Sequence, residues 1–178
     1  MGSDQSARSR GSHRLIVRAR RHESAGMIVF YRDGGRCRFL LVLSRLTKRP
    51  LWEFPKGGVD PDETLLQTAL RELEEEAGLS EDAVTLVPGF EWSESYRFSS
   101  GREPERTLIH KKVTYYLAES RTIEVRPAPK EVSEYAWLEL EEALRRIKYK
   151  ERRRMLKEAA LAAGCTGSPE PPAASETD

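Results

Sequence analysis

The chain has 178 residues, enough for one ordinary domain with a substantial core, and 38% of them are hydrophobic. Its 30 Lys and Arg residues balance 29 Asp and Glu residues to a formal net charge of +1, so no global field directs it to nucleic acid or to a membrane. No apolar run approaches the roughly 18 residues needed to span a bilayer, and the N-terminus lacks a signal peptide. We therefore expect a soluble, cytoplasmic protein with no membrane partner.

The N-terminal segment, residues 1–21, is rich in Ser, Gly and Arg and shows no sustained hydrophobic period. It predicts a flexible basic arm. The following runs SAGMIVFYR and CRFLLVLSR are apolar and β-branched, and the turn signal DGG separates them at residues 33–35. This pattern predicts a β-hairpin.

The segment TLLQTALRELEEEAG, residues 64–78, places Leu66, Ala69, Leu73 and Ala77 on one arc. This spacing predicts an amphipathic helix, and Gly78 is expected to cap its C-terminus. Further strands are predicted at VTLVPGFEWSE, HKKVTYYLAES and EYAWLEL, and helices at EEALRRI and ERRRMLKEAALAA.

The C-terminal segment, residues 164–178, contains Pro, Ala, Ser and Glu with little to bury, and it predicts a disordered tail. The domain then covers residues 22–163. Its strands and helices do not alternate as regular βαβ units, so we expect an α/β fold with a mixed sheet between helices, in an α/β/α arrangement. Cys37 and Cys165 have no metal-ligand spacing, which indicates a reducing compartment or indifference to redox state, and no disulfide framework.

Four glutamates lie within the stretch RELEEEAG. On a helix Glu72, Glu75 and Glu76 share one face at i, i+3 and i+4, while Glu74 points away. Like charges at this spacing cost roughly 0.2–0.5 kcal/mol per pair, so something else must compensate. A solvated acidic face and a divalent cation site are the two interpretations.

The glutamates belong to a longer pattern of residues at fixed spacing. Gly57 is followed after five residues by Glu63, and after seven more by REL, any residue, EE, any residue, then Gly78 and an apolar residue. In this pattern the chain resembles the Nudix hydrolases, and the resemblance extends over about residues 22–163. It implies the family's α/β/α sandwich and metal-dependent hydrolysis of a nucleoside diphosphate linked to another group. Mg²⁺ is the implied cofactor, with Mn²⁺ as the alternative.

The resemblance also implies roles for individual residues. Glu75 and Glu76 match the principal metal ligands, and Glu72 matches a ligand or base. Arg71 would orient the cluster, and the backbone carbonyl at Lys56 would be a further metal ligand. Glu63 is an outer ligand or support.

Many members of this family carry a further glutamate in a loop before a late strand. Glu131 in APKEVSEYAWLEL matches this catalytic position, and Glu134 is the second choice.

The flanking stretches LWEFPKGGVDPDE and KKVTYYLAES resemble the dinucleoside polyphosphate hydrolases, in particular the asymmetrical diadenosine tetraphosphate enzymes. Lys56 is expected to contact the polyphosphate, and Tyr116 is favoured over Tyr115 for stacking on a base. Lys112 shares a strand face with Tyr116 and is expected to bind substrate with it.

Other substrates remain open. The arginine-rich arm suits an RNA 5′ end, which makes RNA 5′-pyrophosphohydrolase the nearest alternative. Diphosphoinositol polyphosphates and nucleoside triphosphates are further alternatives, and the non-enzyme alternative is a Nudix-like nucleotide-binding module. The sequence leaves the oligomeric state open.

Overall fold

The structure is a computed structural model that describes residues 18–45, 50–100, 107–127 and 129–165. Within these ranges the chain forms three helices, α1 (Leu65–Ala77), α2 (Leu140–Arg146) and α3 (Lys150–Ala162). The strands in these ranges are β1 (Arg18–Asp33), β2 (Arg36–Ser44), β3 (Leu51–Glu53), β4 (Lys56–Gly58), β5 (Val84–Ser100), β6 (Thr107–Ser120) and β7 (Val132–Glu139).

The seven strands form one mixed sheet with the central order β3-β2-β1-β6-β5, to which β4 adds against β1 and β7 against β2. The β1–β6 pair is parallel and the other pairs are antiparallel. The predicted hairpin joins β1 to β2, with Asp33 paired to Arg36. Both residues of its loop, Gly34 and Gly35, have positive φ, which suits the tight primed turns of hairpins.

The two faces of the sheet carry separate cores. Helix α1 packs its apolar arc, including Ala69 and Leu73, against Met27 and Val29 of β1. Helices α2 and α3 cover the opposite face, where alternate β1 residues such as Ile28 point. Helices on both faces of a mixed sheet confirm the predicted α/β/α arrangement.

Local signals set both ends of α1. The side chain of Thr64 accepts a hydrogen bond from the backbone N–H of Gln67, and Oε1 of Gln67 accepts one from the backbone N–H of Thr64. These two bonds form a capping box. Gly78 adopts the left-handed conformation at φ 68° and closes the helix, as predicted. The glutamates therefore lie in the last two turns of a well-terminated helix.

Two expectations about the chain ends are wrong. Residues 18–21, assigned to a flexible arm, are part of β1 and pair with residues 107–110 of β6. Cys37 and Cys165 form a disulfide across 128 residues, because the end of α3 packs beside the start of β2. Residues 1–17 of the predicted arm and 166–178 of the predicted tail lie outside the described residues. None of the described helices is long and apolar enough to cross a bilayer.

Candidate active site

Strand β4 brings the backbone of residues 56–58 against the buried face of α1. These residues pair with residues 24–26 of β1, which holds them at the sheet edge nearest α1. A Cβ atom on residue 57 would lie 2.0 Å from the carboxyl carbon of Glu72, far inside any permitted contact. Gly57 therefore allows the Glu72 carboxylate to approach the strand.

Glu76 lies one turn further along α1 and is tied to the same strand. Its Oε2 accepts a hydrogen bond from the backbone N–H of Lys56, at 3.0 Å. Burial raises the pKa of Glu76 to about 7; the charge and N–H of Lys56 oppose this rise, while Glu72 and Glu53 add to it. The site thus holds two buried carboxylates that disfavour each other's ionisation.

Arg71 connects Glu72 and Glu75 to the loop before the helix. Its Nε bonds Oε1 of Glu63 at 2.8 Å, and its Nη2 donates to the carbonyl of Gly58 at 2.9 Å. Its Nη1 lies 2.7 Å from Oε1 of Glu72 and 3.1 Å from Oε2 of Glu75. The hydrogen bond from Arg71 is the main reason that the pKa of Glu63 falls to about 2. This guanidinium therefore orients three glutamates at once.

Glu131 lies in the turn before β7, within electrostatic reach of the cluster. Burial raises the pKa of Glu72, the hydrogen bond and charge of Arg71 oppose the rise, and the charges of Glu75 and Glu131 add to it. Glu134, the second choice, lies on β7 itself and is exposed. The structure thus places Glu131, rather than Glu134, in a loop beside the glutamates.

The donor set here consists of carboxylate oxygens and the expected carbonyl of Lys56, and oxygen donors suit a hard divalent cation. Such an ion would also relieve the repulsion between the buried Glu72 and Glu76. In the described ranges, however, no three His, Cys, Asp or Glu side chains are gathered closely enough to hold an ion. The residue types fit a hard cation, whose binding would require the side chains to draw together.

The side chain of Lys56 forms an ion pair within the protein. Its ammonium lies 2.9 Å from Oε2 of Glu53, and the lysine side chain is only 14% exposed. The ammonium is therefore paired inside the protein, and its contact with a polyphosphate stays a prediction.

A cleft of about 930 Å³ opens directly beyond β4. It lies between the N-terminal part of β1, the loop after β4 and the strands β5 and β6. Cationic side chains outnumber acidic ones on its walls, which suits an anionic ligand. Its lining residues are Arg21, His22, Glu23, Val59, Asp60, Pro61, Ser95, Tyr96, Arg97, His110, Lys111 and Lys112.

Tyr96 and Lys111 face each other across the β5–β6 ladder, on the same side of the sheet. Burial lowers the pKa of Lys111, and the positive charges of Lys56 and Arg152 lower it further. Tyr96 is 37% exposed, and its ring lies 6.1 Å from that of Phe98. A partly buried amine and a partly exposed aromatic pair therefore lie along this part of the sheet, where Lys111 and Tyr96 line the cleft.

The predicted alternation along β6 is confirmed, because Tyr115 and Tyr116 face opposite sides of the sheet. Tyr115 is fully buried in the core under α3, and Lys112 lines the cleft, so its contact with substrate stays a prediction. Tyr116 packs against the α1 core and is not among the cleft-lining residues, where the aromatic side chain is Tyr96. We did not single out Tyr96 from the sequence, although the period of two in SESYRF places it on one face of β5.

Residues 20–159 match the family model of the NUDIX domain. The chain is 36% identical over 143 residues to the asymmetrical bis(5′-nucleosyl)-tetraphosphatase of Mus musculus, covering 76% of this chain and 90% of that relative. It is also 36% identical over 70 residues to the RNA pyrophosphohydrolase of Erythrobacter litoralis, covering 38% and 40% of the two chains. A crystal structure of a C. elegans Ap4A hydrolase binary complex matches with a TM-score of 0.68 at 28% identity, covering 80% of this chain and 98% of that one.

Proposed function

Since the chain belongs to the Nudix hydrolase family, whose members are pyrophosphohydrolases, we propose that it cleaves a dinucleoside polyphosphate, with diadenosine tetraphosphate yielding ATP and AMP. One observation carries this proposal: the buried glutamates of α1 adjoin a cationic cleft that begins where β4 ends. The similarity to the murine tetraphosphatase over most of both chains supports the same substrate class.

In the proposed reaction a water oxygen attacks one phosphorus, and the bond from that phosphorus to the bridging oxygen breaks. The bridging oxygen leaves with the next phosphate, and the proton of the water passes to a carboxylate, for which Glu72 and Glu131 are the candidates. Arg71 holds Glu72 and Glu75 in place through the contacts described above. Asymmetric attack on four phosphates then leaves three on one product and one on the other.

Glu72, Glu75, Glu76 and the carbonyl of Lys56 are the groups that would hold a divalent cation, Mg²⁺ or alternatively Mn²⁺. When bound, such an ion neutralises phosphate charge and lowers the pKa of a bound water. The buried carboxylates of Glu72 and Glu76 are suited to this because burial weakens their solvation and strengthens their attraction to a cation.

The cleft would hold the rest of the substrate. Lys111, Lys112 and Arg97 are positioned to attract the polyphosphate, and the half-exposed ring of Tyr96 offers a surface for a base. Ring stacking tolerates any base, so we expect this subsite to set affinity more than base specificity.

The second candidate is an RNA 5′-pyrophosphohydrolase. The observation in its favour is that Arg21 and His22 of β1 line an open cleft, where they would suit a longer phosphate backbone. The match to the RNA enzyme covers a smaller part of the chain than the match to the tetraphosphatase, and we therefore rank it second.

The test incubates the purified full chain with diadenosine tetraphosphate and Mg²⁺ and separates the products by anion-exchange chromatography. We expect equal amounts of ATP and AMP, and complete loss of turnover in excess EDTA. Two equivalents of ADP would exclude the asymmetric reaction. A higher kcat/KM on triphosphorylated RNA than on the dinucleotide, with a steep dependence on salt, would favour the RNA enzyme instead.

A further inference from the structure

A buried ionic network lies beneath β3 and β4, on the α3 side of the sheet. Arg152 of α3 donates from Nη1 to Oε2 of Glu53 at 2.8 Å and from Nε to Oε1 of Glu94 at 2.9 Å. The Arg152 and Glu53 side chains are 6% and 5% exposed. Burial acts to raise the pKa of Glu53, but Lys56 and Arg152 outweigh it and hold the pKa below its ordinary value.

A buried ionic network of this kind contributes little net free energy to folding. Removing charges from water costs several kcal/mol per ion, and well-packed apolar residues of similar volume are often as stable. Arg152 also occupies a helix position whose neighbours Met155 and Leu156 are fully buried and apolar. The pairing of Arg152 with two carboxylates at this position points to a role in holding other residues in place.

The network continues directly into the candidate active site. Oε2 of Glu53, which bonds Arg152, also lies 2.9 Å from Nζ of Lys56. The backbone N–H of Lys56 in turn donates to Oε2 of Glu76, at 3.0 Å. Three successive contacts therefore connect the guanidinium on α3 to a glutamate on α1, on the other side of the sheet.

The second arm of Arg152 reaches the cleft. Glu94 lies on β5 two residues before Tyr96, on the same face of that strand. One planar guanidinium thus bonds β3 through Glu53 and β5 through Glu94, next to the residues of β5 that line the cleft. A bidentate donor of fixed geometry suits this bridging function better than a lysine ammonium.

We propose that Arg152 is a positioning residue, which acts through Glu53 and Lys56 to hold Glu76 against β4, where it would serve a divalent cation. This inference rests on the proposed function, because it assigns Arg152 a role in that site. Arg152 itself contacts neither substrate nor cation.

The test compares Arg152→Met and Arg152→Lys with the control Arg153→Met, an exposed neighbour on the same helix. The first readout is the Kd of Mn²⁺ alone, measured by calorimetry on the metal-free full chain. We expect Kd to rise about 10-fold to 100-fold in Arg152→Met, the scale found when an outer partner of a metal ligand is removed. We expect kcat to fall more than KM rises, and Arg153→Met to match the wild type.

A double variant separates positioning from stability. Arg152→Met leaves the mostly buried Glu94 without its bond from Arg152 and should lower Tm, whereas adding Glu94→Gln removes that charge and should recover part of the loss. If Arg152 positions Glu76, Kd and kcat stay impaired in the double variant although Tm recovers. If both recover with Tm, or if Arg152→Met binds Mn²⁺ like the wild type, the proposal is overturned.

Arg152→Lys decides the matter if Arg152→Met does not fold, since lysine keeps the charge but cannot bond two carboxylates through a planar fork. An unchanged Mn²⁺ Kd in this folded variant would equally overturn the proposal. A wild-type chain that fails to cleave dinucleoside polyphosphates would refute the proposed function, while the Mn²⁺ measurement would still test Arg152.

Discussion

At the scale of single residues, the site depends on carboxylates brought unusually close to a strand. The absent side chain of Gly57 provides the space that Glu72 occupies, and the N–H of Lys56 fixes Glu76 beside it. Glu72 and Glu76 repel each other but stay buried, because the apolar arc of α1 packs against β1 and β4 pairs with the same strand. Charge removal at one of them should therefore harm function far more than stability.

Glu76→Gln tests this expectation. The variant keeps the shape and an oxygen that can accept from Lys56, so Tm should not fall. It removes the charge of a proposed metal donor, and kcat should drop by about two orders of magnitude or more, the scale for losing a principal transition-state stabiliser. Glu74→Gln, on the exposed side of α1, is the matched control and should retain activity. Near wild-type turnover in Glu76→Gln would reduce the cluster to an acidic surface.

Tyr96 provides the residue-level test of the cleft. Removing a stacking ring costs roughly 1–3 kcal/mol per base, so Tyr96→Ala should raise KM for the dinucleotide several-fold or more with a smaller change in kcat. Tyr116→Leu, which removes the tyrosine that the sequence favoured, serves as the comparison. If KM rises for Tyr116→Leu and stays unchanged for Tyr96→Ala, base binding occurs on the α1 face and our assignment of the cleft is wrong.

At the scale of elements, the end of α1 determines where the glutamates sit. Gly78 closes the helix with φ 68°, and its N–H donates to the carbonyl of Glu74 at 2.8 Å. A Cβ there would lie 2.9 Å from both the Cβ and the carbonyl oxygen of Arg126. The helix terminus is thus fixed both by backbone conformation and by contact with the segment after β6.

Gly78→Ala should accordingly cost more than the left-handed conformation alone, which is about 1–2 kcal/mol for a residue with a Cβ. Gly89→Ala is the control, because Gly89 also has positive φ but has open space around it. Chemical denaturation of both variants measures the difference in the free energy of unfolding. Equal losses would mean that the contact with Arg126 relaxes without cost.

At the scale of the whole molecule, the disulfide joins the hairpin to the end of α3. Cys37 lies near the start of β2, and Cys165 follows α3 directly. The guanidinium of Arg32 reinforces this junction by donating to the carbonyl of Ala163. The helix that carries Arg152 is therefore fastened to the sheet at its C-terminal end as well as by its core.

Reduction of this disulfide should lower the free energy of unfolding by about 2–4 kcal/mol, because a long loop is then released in the unfolded chain. The measurement is denaturant unfolding with and without dithiothreitol, with Cys165→Ser as the control that should not respond to reductant. Two free thiols per chain in unfolded, unreduced protein would contradict the disulfide and restore the expectation drawn from the sequence.

The sequence by itself determined the elements whose causes are local. The helix at residues 65–77 follows from its apolar period and its caps, and the hairpin follows from two glycines between apolar runs. The spacing from Gly57 to Gly78 identified the family and the order of glutamates on one helix face. Each of these signals depends on residues close together in the chain, where backbone geometry alone fixes their relation.

Only the tertiary structure decided which distant residues meet. Arg152 reaches Glu53 across 99 residues, and Tyr96 meets Lys111 through the register of β5 on β6. The disulfide likewise joins residues 128 positions apart, and composition had argued against it. Strand register and helix packing are set by the sum of many burial terms spread over the whole chain, so no short stretch of sequence contains them.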